Sequence, residues 1–375
     1  MTQRTIRTHT VEGVRAAIAL IVALGSYHGR AHAQQSPAVA MGATVDSLIR
    51  VEMSTRRLPG LALAVVRDGQ VVFARGYGFA DIERQAPVSV ETRFQIASIT
   101  KSFTALATMQ LVEQGRVAMD AQVGRYLPQL PEAWHAVTVR QLLAHTSGIP
   151  SISAFERPPC PTAKSQADYV LGDVLTEVAC LPLAFPPGER WEYGDTNYYL
   201  LGLLIAAVSG MSYEAFLAQG ILTPLGMTAT RLQRRTPEAD VARGYRWQSG
   251  RYEAAPSLDP IVDEANGALV STVHDLARLD AALYGEQLLP QRTLATMWTP
   301  AETREGLAPY GLGFGLSPFR GKRRVGHTGG APGSSTAISR FPDERLTVIL
   351  LTNGEQPPGK VLELAHAVAA LFLTP

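Results

Sequence analysis

Two hydrophobic periods alternate along the chain. Leu61–Val66 and Gln70–Tyr77 are apolar, β-branched runs separated by Asp68-Gly69, the pattern of two strands joined by a tight hairpin. Toward the other end, Tyr310–Leu316, Val325–Gly330, Thr336–Phe341 and Leu346–Thr352 read as further short strands. Helical spacing takes over in Thr44–Met53, where Val45, Leu48, Ile49 and Met53 share a face, and in the closing stretch Val361–Leu373. Most of the intervening chain is helical as well. Tyr198–Val208 is apolar nearly all round, as a buried helix is, and Tyr213–Leu222 follows in helical register. The two ends therefore supply one antiparallel sheet covered by terminal helices, and the middle forms a mostly helical insertion. The sheet lobe is expected at 34–97 plus 306–375 and the helical lobe at 98–305. A chain of 375 residues also exceeds what a single core usually serves.

At the junction between the lobes stands Phe94-Gln95-Ile96-Ala97-Ser98-Ile99-Thr100-Lys101-Ser102-Phe103-Thr104-Ala105. Ile99, Phe103, Leu106, Met109 and Leu111 recur near the helical period, so Ser98 is expected to open a helix that enters the core and stops at Gly115. Positions i and i+3 share a helix face, which brings the Lys101 amine back over the Ser98 hydroxyl. A serine hydroxyl is a weak nucleophile until a base stands within hydrogen-bond reach. The same spacing also arises by chance, and a serine at a helix start often serves only as a cap. Lysine is scarce here, however: Lys101, Lys164, Lys322 and Lys360 are the only four. One placed inside an apolar helix is poorly explained as a surface charge.

Composition narrows the class. With 46% hydrophobic and 18% charged residues and a net charge of +1, the chain is that of a globular protein and carries no nucleic-acid footprint. Arg4, Arg7 and Arg15 precede the apolar stretch Ala16–Leu24, followed by Ala31-His32-Ala33. This is the layout of a secretory signal peptide at 1–33, cleaved after Ala33, and it predicts a periplasmic or secreted protein with no stable membrane span after cleavage. An uncleaved anchor is the alternative. Export allows Cys160 and Cys180 to form a disulfide across a polar segment, contributing about 3 kcal/mol in the chain-entropy model; two buried thiols are the other reading. No Cys/His spacing matches a metal or haem site, so neither metal nor cofactor is expected.

Two more stretches bear on Ser98. Pro186-Pro187-Gly188-Glu189-Arg190-Trp191-Glu192-Tyr193-Gly194-Asp195 is a turn-rich loop entering a helix, and Gly326-His327-Thr328-Gly329-Gly330 is a strand whose glycines admit a close backbone. With Ser98-x-x-Lys101, then Tyr193-Gly194-Asp195, then His327-Thr328-Gly329, the chain resembles the penicillin-recognising serine hydrolases: class C β-lactamases, low-molecular-weight DD-peptidases and related esterases and D-amino-acid peptidases. Leu142-Leu143-Ala144-His145-Thr146-Ser147-Gly148 and Asn266-Gly267-Ala268 resemble further stretches of that family.

The resemblance implies a β-lactamase/transpeptidase-like fold, α+β with an inserted helical lobe. It also implies two-step acyl transfer. Ser98 would be the nucleophile and Lys101 and Tyr193 would share its proton. The backbone N–H groups of Ser98 and Gly330 would hold the oxyanion, and Asp195, His327, Thr328 and Gly329 would line the substrate site. The substrate would be a small molecule or peptide with a scissile amide or ester. Two departures matter. His327 stands where β-lactamases of this kind carry lysine; a neutral imidazole attracts a substrate carboxylate less strongly than an ammonium does, which points toward peptidase or esterase relatives. Asp195 stands in place of asparagine; beside Lys101 a carboxylate favours the ammonium, which would make Tyr193 the working base and could let Asp195 hold a substrate amine, while the plainer alternative is that Asp195 only accepts hydrogen bonds from Lys101. A catalytically silent protein that binds cell-wall peptides on the same fold is the competing reading.

Overall fold

The computed structural model describes residues 37–152, 160, 173–236, 238–256 and 259–373; the expected signal peptide lies outside them. A seven-stranded antiparallel sheet is assembled from both ends of the chain, in the order 315–316, 325–331, 334–341, 346–352, 60–67, 70–81 and 86–87. The hairpin at Asp68-Gly69 is present, with Asp68 at φ 51° and Gly69 at φ 73°. Strand Gly60–Arg67 lies mid-sheet, paired with Leu346–Thr352 on one edge and Gln70–Asp81 on the other. Its two faces are both covered, which is why it reads as continuously apolar rather than alternating. Leu61, Leu63 and Val65 pack with Val45 and Ile49 of the N-terminal helix and Val361, Leu364 and Val368 of the C-terminal helix. Ala62, Ala64 and Val66 face the opposite way, into the core shared with the helical region.

Two boundaries differ from expectation. Helix Val273–Ala282, which sequence order assigns to the helical lobe, belongs with the sheet: its Asp280 accepts from Arg340 Nε at 2.5 Å and Thr347 Oγ1 at 2.8 Å, both on strands. Tyr310–Leu316 is a strand only at Gly315–Leu316. Its first part instead clamps the Ser98 helix: Ser102 Oγ donates to Gly313 O at 2.8 Å, and a β-carbon on Gly313 would lie 2.2 Å from Ala105 Cβ. The middle of the chain also holds a small sheet of 94–95, 231–232 and 269–271.

Cys160 and Cys180 form the disulfide. No single helix among the described residues is long and apolar enough to cross a membrane.

Candidate active site

Ser98 does not begin the long helix directly. It sits in a 3-10 turn, Ala97–Ile99, that runs into helix Thr100–Glu113. Nearly every side chain from Thr100 to Leu111 is buried, so the helix enters the core as its apolar spacing predicts. Ala97 is held at φ 45°, a conformation that costs a non-glycine residue free energy and persists only where its surroundings enforce it. The neighbouring strand supplies that enforcement. Ser334 Oγ donates to Gln95 O at 2.7 Å and Thr336 Oγ1 to Ile96 O at 3.0 Å. Gly329 lies flush on Ile96: a β-carbon there would fall 2.2 Å from Ile96 O. The sheet thus fixes the backbone two residues ahead of Ser98.

Lys101 Nζ donates to Ser98 Oγ at 3.1 Å, to Asp195 Oδ1 at 2.6 Å and to Asn266 O at 2.7 Å. Three acceptors match the three hydrogens of an ammonium. Burial works against the charge, but Asp195 and Tyr193 outweigh it, and the Lys101 pKa is raised. Lys101 is therefore a fully bonded cation at neutral pH. Tyr193 lies over it, with Nζ 5.0 Å from the ring centroid. Burial of the phenol raises the Tyr193 pKa, Lys101 pulls the other way, and Asp195 adds to the rise.

The loop carrying Tyr193 is held by a residue the motif reading passed over. His145 Nδ1 accepts from Gly194 N–H at 3.2 Å, and His145 O accepts from Glu192 N–H at 3.0 Å. Its ring lies 4.4 Å from that of Tyr193 and 4.9 Å from those of Tyr198 and Tyr310. Burial, and then the charge on Lys101, push the His145 pKa well below the ordinary value, so the ring stays a neutral acceptor and stacking surface. Only its place in a Leu-Leu-Ala-His-Thr-Ser-Gly stretch pointed to it. Asn266 acts through its backbone carbonyl, which no side-chain pattern reveals.

His327 is held by two hydrogen bonds. Its Nδ1 lies 2.6 Å from Thr328 O and its Nε2 lies 2.8 Å from Tyr310 Oη, so Nδ1 carries the proton and Nε2 accepts. Burial and then Lys101 bring its pKa down to about 3. Both ring nitrogens are engaged and the ring is uncharged, so it braces Tyr310 rather than attracting a carboxylate. Thr328 is half-buried and Gly330 exposed. The strand 325–331 pairs throughout with 334–341, but on its other edge only Val325 and Gly326 are paired. From His327 onward that edge has no strand neighbour among the described residues.

A buried carboxyl borders the cluster. Burial raises Asp263 to about 7, Asp195 adds to the rise and Lys101 opposes it. A proton held when folded and released when unfolded stabilises below the unfolded pKa, and that contribution is lost as pH rises through the folded value. The contribution of Asp263 to stability is therefore expected to fall between about pH 4 and pH 7, against the opposite trend from His145 and His327, whose lowered values favour the fold as pH rises. Asp263→Asn should remove the falling contribution from the dependence of the thermal midpoint on pH over that interval; equal slopes for variant and parent would refute the assignment.

An activated serine beside a buried lysine and a tyrosine, set between an antiparallel sheet and a helical lobe, defines a serine acyl-transfer site. The family described as Beta-lactamase matches residues 45–372, and the chain belongs to it. Penicillin-binding protein 4* of Bacillus subtilis (strain 168) is 32% identical over 304 residues, 77% of this chain and 66% of that protein. Protein flp of Staphylococcus aureus (strain N315) is 31% identical over 62% of this chain and 47% of its own length. The chain thus spans about half to two thirds of these curated relatives. Among solved structures, the octameric penicillin-binding protein homologue from Pyrococcus abyssi superposes with TM-score 0.76 at 32% identity, covering 88% of this chain and 77% of that one. The D-amino acid amidase from Ochrobactrum anthropi SV3 superposes at 0.73 and 26% identity, covering 88% and 98%.

Proposed function

We propose that the protein is an exported serine hydrolase that cleaves an amide or ester through an acyl-enzyme on Ser98. The observation that carries this reading is the 3.1 Å hydrogen bond from Lys101 Nζ to Ser98 Oγ, made by a lysine whose other two donors are held by Asp195 and Asn266. A saturated ammonium has no lone pair with which to take the Ser98 proton. It steadies the serine oxygen and lowers the cost of a phenolate on Tyr193. Tyr193 acts in its phenolate form, its own proton having passed to solvent before the attack; the phenolate takes the Ser98 proton as Ser98 attacks the carbonyl, and the phenol so formed gives that proton to the leaving group. The backbone N–H groups of Ser98 and Gly330 receive the oxyanion. Water enters by the same route in reverse and releases the acid. The leader at 1–33 supports export to the periplasm or medium.

Substrate choice follows from His327. A neutral ring with both nitrogens engaged offers no cation for a carboxylate on the leaving group. Amidase or esterase activity is therefore favoured over dedicated β-lactam hydrolysis. Asp195 is already paired with Lys101 at 2.6 Å, so its main task is to hold that charge rather than a substrate amine. A steady-state panel of a short aryl ester, D- and L-amino-acid amides and a penicillin tests this. Turnover of ester or amide well ahead of penicillin is expected; penicillin turnover matching the best ester contradicts it.

A further inference from the structure

Besides Ser98, the two acceptors that hold the Lys101 ammonium come from separate stretches of chain. Asp195 opens helix Asp195–Ser209, and Asn266 lies in the turn 263–268. Each is tied to backbone beside it. Asp195 N–H donates to Ser151 Oγ at 3.0 Å; the next residue, Thr196, accepts from Ile152 N–H at 2.9 Å and donates to Pro150 O at 2.6 Å. Asn266 Nδ2 donates to Val262 O at 3.1 Å, and its N–H donates to Asp263 O at 3.1 Å.

One side chain touches both supports. Tyr199 stands one turn after Asp195 on the same helix and is 1% exposed. It packs with Ile152, Leu175, Leu203, Ile261 and Val262 in a cluster of its own, apart from the two main cores. Ile152 follows Ser151, and Val262 supplies the carbonyl that holds Asn266, so the ring lies against the backing of both acceptors. Leu175 belongs to the turn Asp173–Glu177, inside the segment that the Cys160–Cys180 bridge closes. Removing a buried ring leaves a space into which its neighbours relax only in part. The Lys101 bonds to Asp195 and Asn266, at 2.6 and 2.7 Å, tolerate little change in spacing before they are lost.

We propose that Tyr199 is a positioning residue for acylation: its ring fixes the spacing of Asp195 and Asn266, and through them the place of Lys101 beside Ser98. The role rests on acylation of Ser98 as described above.

The titration of Lys101 reports that spacing. Lys101 is faced by Asp195 and Tyr193, by the phenol of Tyr198 at 5.9 Å, by the rings of His145 and His327 and by the carboxyl of Asp263. All six are unchanged in the variants that follow. An ammonium that loses an acceptor while still buried gives up its proton more readily.

The test measures kcat/KM for an aryl ester against pH in the parent, Tyr199→Ala, Tyr199→Phe and Leu175→Ala. In Tyr199→Ala the alkaline limb, where Lys101 loses its proton, should move to lower pH, and kcat/KM at neutral pH should fall roughly tenfold to a hundredfold. Leu175→Ala should change in the same direction by less, and Tyr199→Phe, which keeps the ring, should match the parent. Phe319→Ala trims an aromatic packed in the core under the terminal helices; it should lower the thermal midpoint and leave the limb in place. An unmoved limb in Tyr199→Ala, or a shift in Tyr199→Phe as large as in Tyr199→Ala, overturns the role and leaves acylation intact. If Tyr199→Ala does not fold, Leu175→Ala decides by the same reading. Failure of the parent to turn over the ester, with no acyl mass on Ser98, overturns the acylation reading and this role together.

Discussion

Lys101→Met is expected to slow acylation of Ser98 by roughly a thousandfold or more, the range lost with a proton-transfer and charge-stabilising group. Methionine keeps most of the unbranched side chain, one atom shorter, and loses every donor. The same change leaves Asp195, whose side chain is only 19% exposed, without its cation. Removing one partner of a buried pair costs about 3 kcal/mol or more. Lost activity alone would therefore be ambiguous, and the double variant Lys101→Met/Asp195→Asn separates the two effects. It should regain much of the thermal midpoint, since a neutral amide needs no counter-charge, and none of the acylation rate. Single-turnover kinetics with a chromogenic ester, beside thermal unfolding, read both. Recovered activity in the double variant would show that Lys101 is only a structural counter-ion.

Gly329→Ala is expected to be nearly as damaging, although it adds one methyl group and no charge. The new carbon would lie 2.2 Å from Ile96 O and 2.3 Å from Thr336 Oγ1, distances that real β-carbons do not adopt. Strand and turn must move apart, and overpacking of this kind costs about 1–3 kcal/mol. The turn also carries Ser98, so the displacement reaches the nucleophile and the oxyanion site together. A misplacement of about 1 Å at reacting groups can cost a hundredfold, and kcat/KM should fall by at least that factor. Gly359→Ala, where the added carbon meets nothing within 4 Å, is the matched control and should leave both stability and rate near the parent. Parent-like rates for Gly329→Ala would show that the contact with Ile96 does not set the site.

Much of this arrangement is legible in the sequence, for reasons that differ by residue. Ser98 and Lys101 are three apart on one chain segment, so local helical geometry alone brings them together. Strands 61–66 and 346–351 announce themselves because both faces of the sheet are covered and nearly every position is apolar. Tyr193 and Asp195 needed the family pattern, since nothing local says that their loop returns to Ser98. Asn266 was read only as part of a familiar stretch, because its contribution is a carbonyl. His145 is hidden for a similar reason: its ring works by accepting a backbone N–H and by stacking, and both depend on the folded neighbours. His327 is legible as a weak attractor of carboxylates, but its position in the motif does not disclose Tyr310, which takes up Nε2. Helix 273–282 lies in the helical stretch by sequence yet packs on the sheet, because sequence order is no guide to which core covers an apolar face. Tyr213–Leu222 is helical only to Leu217 in the α form; the last turn widens to a π-helix at 218–222, where Gly220 O accepts from Gln110 Nε2 at 2.9 Å.

The central claim is that Ser98 forms a covalent acyl intermediate, and intact-protein mass after brief exposure to an activated short-chain ester addresses it directly. The account predicts a mass increment of one acyl group on the parent protein, its decay as water turns the intermediate over, and no increment on Ser98→Ala. An increment on the variant equal to that on the parent, or ester turnover that survives the loss of Ser98, would contradict it.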